Sequence, residues 1–299
     1  MRTARLGIRA AALAGGIVMA VGLTACGSDK EGDDKPADKA KDSTNSSDVA
    51  PRGALAALKL ASQRTDEQDS AKVEGSTVIG EARTTMSGEM DWSTGGIRAR
   101  MDVTQSGGAV QGSPMDGKAM PALYTADAMY MNLGDQFAAT PQASGAHWVK
   151  YDYDVLAQKA GPAGAFLKDT MQNNNPARSV QLVLATGEVK AVGEETVKGV
   201  KATRYSGTVK VADLAKLQSK DLTAEELSSL QKQLEQSGTE TETIDLWIDE
   251  NNLLVKKREY GENNNGKFDS TVFYTDYGVD VSVEEPPASD TVNFEEIQG

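Results

Sequence analysis

From Ala71 the chain takes up a period of two and keeps it for three consecutive segments. AKVEGSTVIGE (71–81), ARTTMSGEMDW (82–92) and IRARMDVTQ (97–105) each alternate apolar and polar residues. Alternation of this kind puts one face of a strand inward and the other toward water. The breaks are short and polar or glycine-containing, and Ser93-Thr94-Gly95-Gly96 suits a hairpin turn, so the segments predict an antiparallel meander.

The rest of the chain fits around that meander. Residues 53–68 predict a helix with Leu55, Leu58 and Ala61 in one stripe and Leu60 at its edge. Residues 106–121, rich in Gly and Pro, predict a long mobile loop. Strands are expected to resume over 122–134 and 146–152, followed by a helix from Val155 to Gln172. Pro176 suits the first position of another helix ending at Thr186, with Gly187 as its stop, although VQLVLAT within it also fits a strand. Two strands round Lys198-Gly199 fill 187–211. Thr223-Ala224-Glu225-Glu226 is a capping box for a helix to about Gln236. A hairpin turning near Asp249–Asn252, a strand over 267–283 and a tail complete the chain. This order predicts an α+β fold with one large antiparallel sheet.

The front of the chain has a different composition. Arg2, Arg5 and Arg9 precede an apolar run from Ala10 to Leu23, the length of a signal-peptide core and short for a membrane span. Leu23-Thr24-Ala25-Cys26 then matches the lipobox of bacterial lipoproteins, which makes Cys26, the single cysteine, the expected site of acylation. Two or more acyl chains anchor a protein stably where one holds it only reversibly. Residues 27–52 are charged and polar, with Val49 the only aliphatic residue apart from alanine. Such a segment cannot offset its ordering entropy by burial and is expected to be a disordered tether. The expected organisation is therefore a signal peptide over 1–25, a lipidated cysteine and tether over 26–52, and one domain over 53–299, at the extracytoplasmic face of the cell membrane.

Charge and residue counts narrow the function. Losing Arg2, Arg5 and Arg9 with the leader lowers the bases from 31 to 28 against 44 acids, and the formal charge from −13 to −16. No basic patch is present to bind nucleic acid, and membrane attachment rests on acylation rather than charge. With one histidine, His147, and one cysteine, His/Cys metal sites are excluded by count. No GxSxG stretch or phosphate-binding glycine loop occurs. His147 is expected to be a plain strand residue, and Asp249–Asn252 a turn rather than a calcium loop, because the later glutamate that loop requires is missing. The alternating charges of 188–204 are expected to form a solvated face. No cofactor and no enzymatic activity are expected.

VGEETVKGVKATRYSGTV (192–209), WIDENNLLVKKREY (247–260), YTDYG (274–278) and Pro286-Pro287 together resemble the LppX/LprAFG lipoproteins of actinobacteria. The resemblance implies a LolA/LolB-like fold, in which a curved antiparallel half-barrel lies over helices with an apolar cavity between. It also implies binding of lipid or glycolipid acyl chains and their carriage across the envelope; it names no protein partner. The alternation supplies candidate wall residues on three faces. They are Met86, Met90 and Trp92; Ile97, Met101 and Val103; and Leu123, Met129, Met131 and Leu133. Methionine suits such a wall because its unbranched thioether adapts to irregular shapes. A carrier of this kind is expected to enclose several hundred Å³ or more. The same alternation would serve a filled core, and the alternative function is an envelope scaffold or sensor without cargo.

Overall fold

The computed structural model describes residues 51–94, 96–172, 175–186, 188–210, 241–264 and 266–297, with single positions between 213 and 238. The expected signal peptide, Cys26, the tether up to residue 50 and Thr223 of the capping box lie outside the described residues, while Pro51 and Arg52, the last two residues of the expected tether, belong to the first helix.

Helix α1 (Pro51–Asp66) opens the domain. Its buried stripe runs through Ala54, Leu58, Ala61 and Thr65, while Leu60 is exposed and Leu55 half-buried. The meander follows as β1 (Ser70–Ile79), β2 (Ala82–Asp91) and β3 (Arg98–Ser106). In register, Ala71, Met90 and Ala99 stand side by side on the inner face.

The expected mobile loop over 106–121 has a defined path. Asp116 accepts hydrogen bonds from the backbone of Gly107 and Gly112, and Gly117 donates to the Gln105 carbonyl. Its last residues already belong to β4 (Ala119–Tyr124). The strand expected over 122–134 is two strands, β4 and β5 (Ala128–Asn132). Thr125 closes the turn between them through its own hydroxyl, which donates to the Ala128 carbonyl and accepts from its amide. This turn has no glycine or proline, so the alternation runs through it unmarked.

A short helix, α2 (Gly134–Ala138), precedes β6 (Trp148–Asp152). Helix α3 (Tyr153–Gln172) starts where the Asp152 carboxylate accepts from the amides of Asp154 and Val155. Helix α4 (Pro176–Thr186) is a helix and not a strand. Pro176 opens it, and Asn175 accepts from the Ala177 amide. Its buried residues Ala177, Val180 and Val183 form an i, i+3, i+6 stripe. β7 (Val189–Val197) and β8 (Val200–Lys210) turn through Lys198 and Gly199, both at positive φ, as a two-residue hairpin of this hand requires. β9 (Thr241–Asp249), β10 (Leu254–Asn263) and β11 (Gly266–Thr275) finish the main sheet.

The expected tail is structured. Tyr277 donates to the Leu254 carbonyl and Arg98 to the Val283 carbonyl. The chain then adds β12 (Thr291–Asn293) in parallel beside β6 and ends in a helical turn, α5 (Phe294–Ile297).

The twelve described strands form one curved open sheet, in the order β12-β6-β5-β4-β3-β2-β1-β11-β10-β9-β8-β7. Among the described strands only the β12–β6 pair is parallel. β11 lies beside β1, so the last long strand joins the two halves of the sheet. Helices α1 and α4 pack on each other and on the inner face of β7, β8 and β10. Gly88 in β2 lets the backbone of β3 approach closely: a Cβ there would lie 2.0 Å from the Arg100 carbonyl oxygen. Gly207 in β8 lets α4 approach, its missing Cβ standing 3.0 Å from Val183.

Candidate functional site

The inner face of β1–β5 is a methionine wall. Met86, Met90 and Met101 point inward, and Met171 meets them from α3. With Ile97, Ala99, Tyr124, Val73, Val272 and Tyr274 they enclose a void of about 40 Å³. That holds about one water and lies far below the ~300–1,000 Å³ of a ligand pocket, so the expected several hundred Å³ are absent from this void. Burial pushes the Tyr124 hydroxyl up to about 12 and raises that of Tyr274; both remain neutral at physiological pH.

The predicted wall residues divide into groups. Met86, Met90, Ile97 and Met101 line the void. Trp92 and Val103 belong to the same core cluster without lining it. Met129 and Met131 form an adjoining cluster with Met120, Tyr153 and Met171, against which Leu133 packs. Leu123 does not share their face. The turn at Thr125 pairs Leu123 with Tyr130 and Arg100, placing it on the outer side of the sheet. There it lines an open groove of about 1,140 Å³, walled by charged residues including Glu89, Arg100, Asp102 and Glu284, with Trp148 beside them.

Sequence reasoning missed a buried polar group on the inner wall. Glu242, Lys257 and Glu259 are each no more than 4% exposed. The Lys257 ammonium lies 3.0 Å from Glu259. Burial, together with the neighbouring Glu259 charge, pushes the Glu242 carboxyl up to about 8. A β-bulge hid the group. The register shifts between Leu254 and Lys256, so Val255 and Lys256 both face outward and Lys257 and Glu259 turn inward with Leu254. Plain alternation from Leu254 would place Lys256 and Arg258 inside instead.

The charges of β7 and β8 make more than a solvated face. Arg204 pairs with the fully buried Asp245 at 2.7 Å and with Glu195 at 3.4 Å. Trp247 donates to Glu195 and lies beneath Lys256, whose Nζ is 3.8 Å from the ring centroid. His147 also has defined partners. Its Nδ1 lies 2.6 Å from Asp290 and its Nε2 3.4 Å from Asp135, and hydrogen bonding to Asp290 raises its pKa. Asp249 accepts from the Asn251 and Leu253 amides, which makes 249–253 the expected turn. Among the described residues no group of three acids, histidines or cysteines is placed to hold a metal, and no helix is long and apolar enough to cross a membrane.

No protein-family model matches the chain. It is 44% identical over 254 residues to an uncharacterized 31.2 kDa protein from the rplA–rplJ intergenic region of Streptomyces griseus, covering 83% of this chain and 82% of that one. It is 34% identical over 244 residues to a Streptomyces coelicolor protein provisionally named a lipoprotein, covering 81% and 75%. Among solved structures it is similar to LprF from Mycobacterium bovis, with a TM-score of 0.49 and 18% identity over 79% of this chain and 98% of that one. It is also similar to the lipoprotein LppX of Mycobacterium tuberculosis, at 0.48 and 14% over 79% and 100%. Likeness at these identities concerns fold and carries neither cargo nor mechanism.

Proposed function

We propose, from the premise that this chain belongs to the family of these two Streptomyces proteins, that it is a membrane-anchored, non-catalytic lipoprotein which takes lipid or glycolipid acyl chains against its methionine wall. Acylated Cys26 holds it at the extracytoplasmic face of the membrane, and the segment over 27–50 sets the domain off the bilayer by roughly 25–30 Å. The observation that supports uptake is the convergence of Met86, Met90, Met101 and Met171 on one void. These side chains have three rotatable bonds each and repack at low cost. An entering chain gains about 0.8 kcal/mol per buried methylene, which offsets displacement of the methionines and of α3. Carriage of the lipid between membranes is the further step of this reading.

A second reading has its own observation. The void of about 40 Å³ is nearly filled, while the outer groove is about 1,140 Å³. That contrast favours an envelope scaffold or sensor that carries nothing inside.

One experiment separates the two. The full chain with Cys26→Ala, which cannot be acylated, is purified and its organic extract analysed by mass spectrometry beside an unrelated secreted protein. A stoichiometric lipid that disappears with Met86→Trp and Met101→Trp is the expected result. A clean extract, with no uptake from added lipid, rejects the carrier and leaves the scaffold.

A further inference from the structure

The polar group shares the inner face of the sheet with the methionine void, and Lys257 pairs with Val272, which lines it. Successive rungs of the sheet show how. Val73 and Tyr274 form one rung, both lining the void. Gly75, Val272 and Lys257 form the next. Thr77, Ser270 and Glu259 follow, and then Ile79, Phe268, Gly261 and Glu242. Met86 lies across Gly75, whose missing Cβ would stand 2.9 Å from the Met86 Cγ. The wall therefore passes from methionine to Lys257 in one step and to Glu259 in two. Thr77 and Ser270 share a buried hydrogen bond of 3.0 Å on the same rung as Glu259.

Burying carboxylates and an ammonium costs several kcal/mol for each ion, and the fold has no visible need for them on this face. Glu242 Oε1 is buried and has no hydrogen-bond partner among the described residues. Buried polar atoms nearly always have partners, so an orphan on the same sheet face as the void points to something that binds there.

Resting on the lipid-binding reading above, we infer that Glu242, Lys257 and Glu259 receive the polar end of the bound amphiphile, and that this end is uncharged and bears hydroxyl groups. A hydroxyl both donates and accepts, so it satisfies the Glu242 oxygen without adding a charge. The Lys257 ammonium is already matched by Glu259, and burial keeps the Glu242 carboxyl protonated at neutral pH. An anionic head would bring a second negative charge against Glu259. A cationic head would have to be desolvated beside Lys257. The tail then lies along Met86, Met90 and Met101, with its far end toward Met171.

Three probes with the same oleoyl chain test this on the full Cys26→Ala chain: 1-monooleoylglycerol, oleate and oleylamine, titrated by calorimetry at neutral pH. Monooleoylglycerol is expected to bind about tenfold tighter than either charged probe, as one well-made buried hydrogen bond supplies. Glu242→Leu should bring the three affinities within about twofold to threefold, because the partner of the hydroxyl is gone. Glu242→Gln keeps a donor and an acceptor and should retain the preference. The comparison of probes on the unaltered wall needs no variant, so a variant that fails to fold does not remove the test. Equal affinities, or preference for a charged probe, overturn the assignment while leaving lipid binding intact. Binding of none of the three overturns lipid binding and this assignment together.

Discussion

The two halves of the sheet solve the same problem with different materials. On β1–β5 the inner face is built from Met86, Met90, Met101, Met120, Met129 and Met131, and the void lies there. On β7–β11 the inner face is Val189, Val209, Ile244, Leu246, Ile248 and Leu254, closed by α1 and α4. Branched side chains have few rotamers and pack to one arrangement, whereas methionine accepts many. The outer faces differ too. The first half presents a wide charged groove, and the second seals Trp247 beneath Lys256 and Arg204. The comparison teaches that one half is built to yield and the other to hold its shape, with the polar group of Lys257 at their junction.

That contrast breaks most sharply at the junction. Lys257→Met leaves Glu259 without its matched ammonium at 3.0 Å and should cost about 3–5 kcal/mol in urea unfolding. Adding Glu259→Leu should recover most of it, since replacing both members of a buried pair by apolar groups is near neutral. No recovery would mean that the pair sets the register of β10.

The next test compares two glycines of the yielding half. Gly88→Ala drives a methyl against the backbone of β3, where the Arg100 oxygen is 2.0 Å away, and should cost about 3 kcal/mol. Gly75→Ala meets only the side chain of Met86 at 2.9 Å. If the methionine wall yields, that substitution costs under about 1.5 kcal/mol. Equal losses would show that the wall does not yield.

The pH dependence sharpens the picture further. The Glu242 carboxyl rises from 4.5 to about 8 on folding, so between these values the folded chain holds a proton the unfolded chain has released. Its contribution is complete below pH 4.5 and is lost as pH climbs through about 8. Glu242→Leu should flatten the fall in stability over that window. His147 sits on the other half, at the edge of the sheet. Its raised pKa means that the link to Asp290 contributes fully below 6.5 and is lost above it. The lowered pKa of Asp290 makes the same link fade again as pH falls below 3.8. With one histidine in the chain, its NMR titration assigns that clasp without ambiguity, and Asp290→Asn should return the midpoint toward 6.5.

Much of the local order was legible. α1, the meander, α3, α4 and the hairpins at Lys198-Gly199 and Asp249–Asn252 follow from periodicity, capping and turn chemistry, all of which act within a few residues of chain. Met86, Met90, Ile97 and Met101 were legible as one wall because β2 and β3 join through a turn with glycine in it. Leu123 was assigned to the wrong face because the Thr125 turn looks like more strand. Lys257 and Glu259 were missed because a bulge at Val255 reverses the alternation, and nothing local in Leu254-Val255-Lys256 marks it.

The sequence by itself determined most of the elements and the faces of the first three strands, and it carries the Leu23-Thr24-Ala25-Cys26 pattern, because side-chain period and short motifs are properties of adjacent residues. Tertiary structure alone decided that β11 would lie beside β1, that the C-terminal segment would return to β6 and hold His147, and that the wall would close to about 40 Å³. Those outcomes depend on contacts between residues some 140 to 200 positions apart, and a void's volume depends on how many rotamers pack at once.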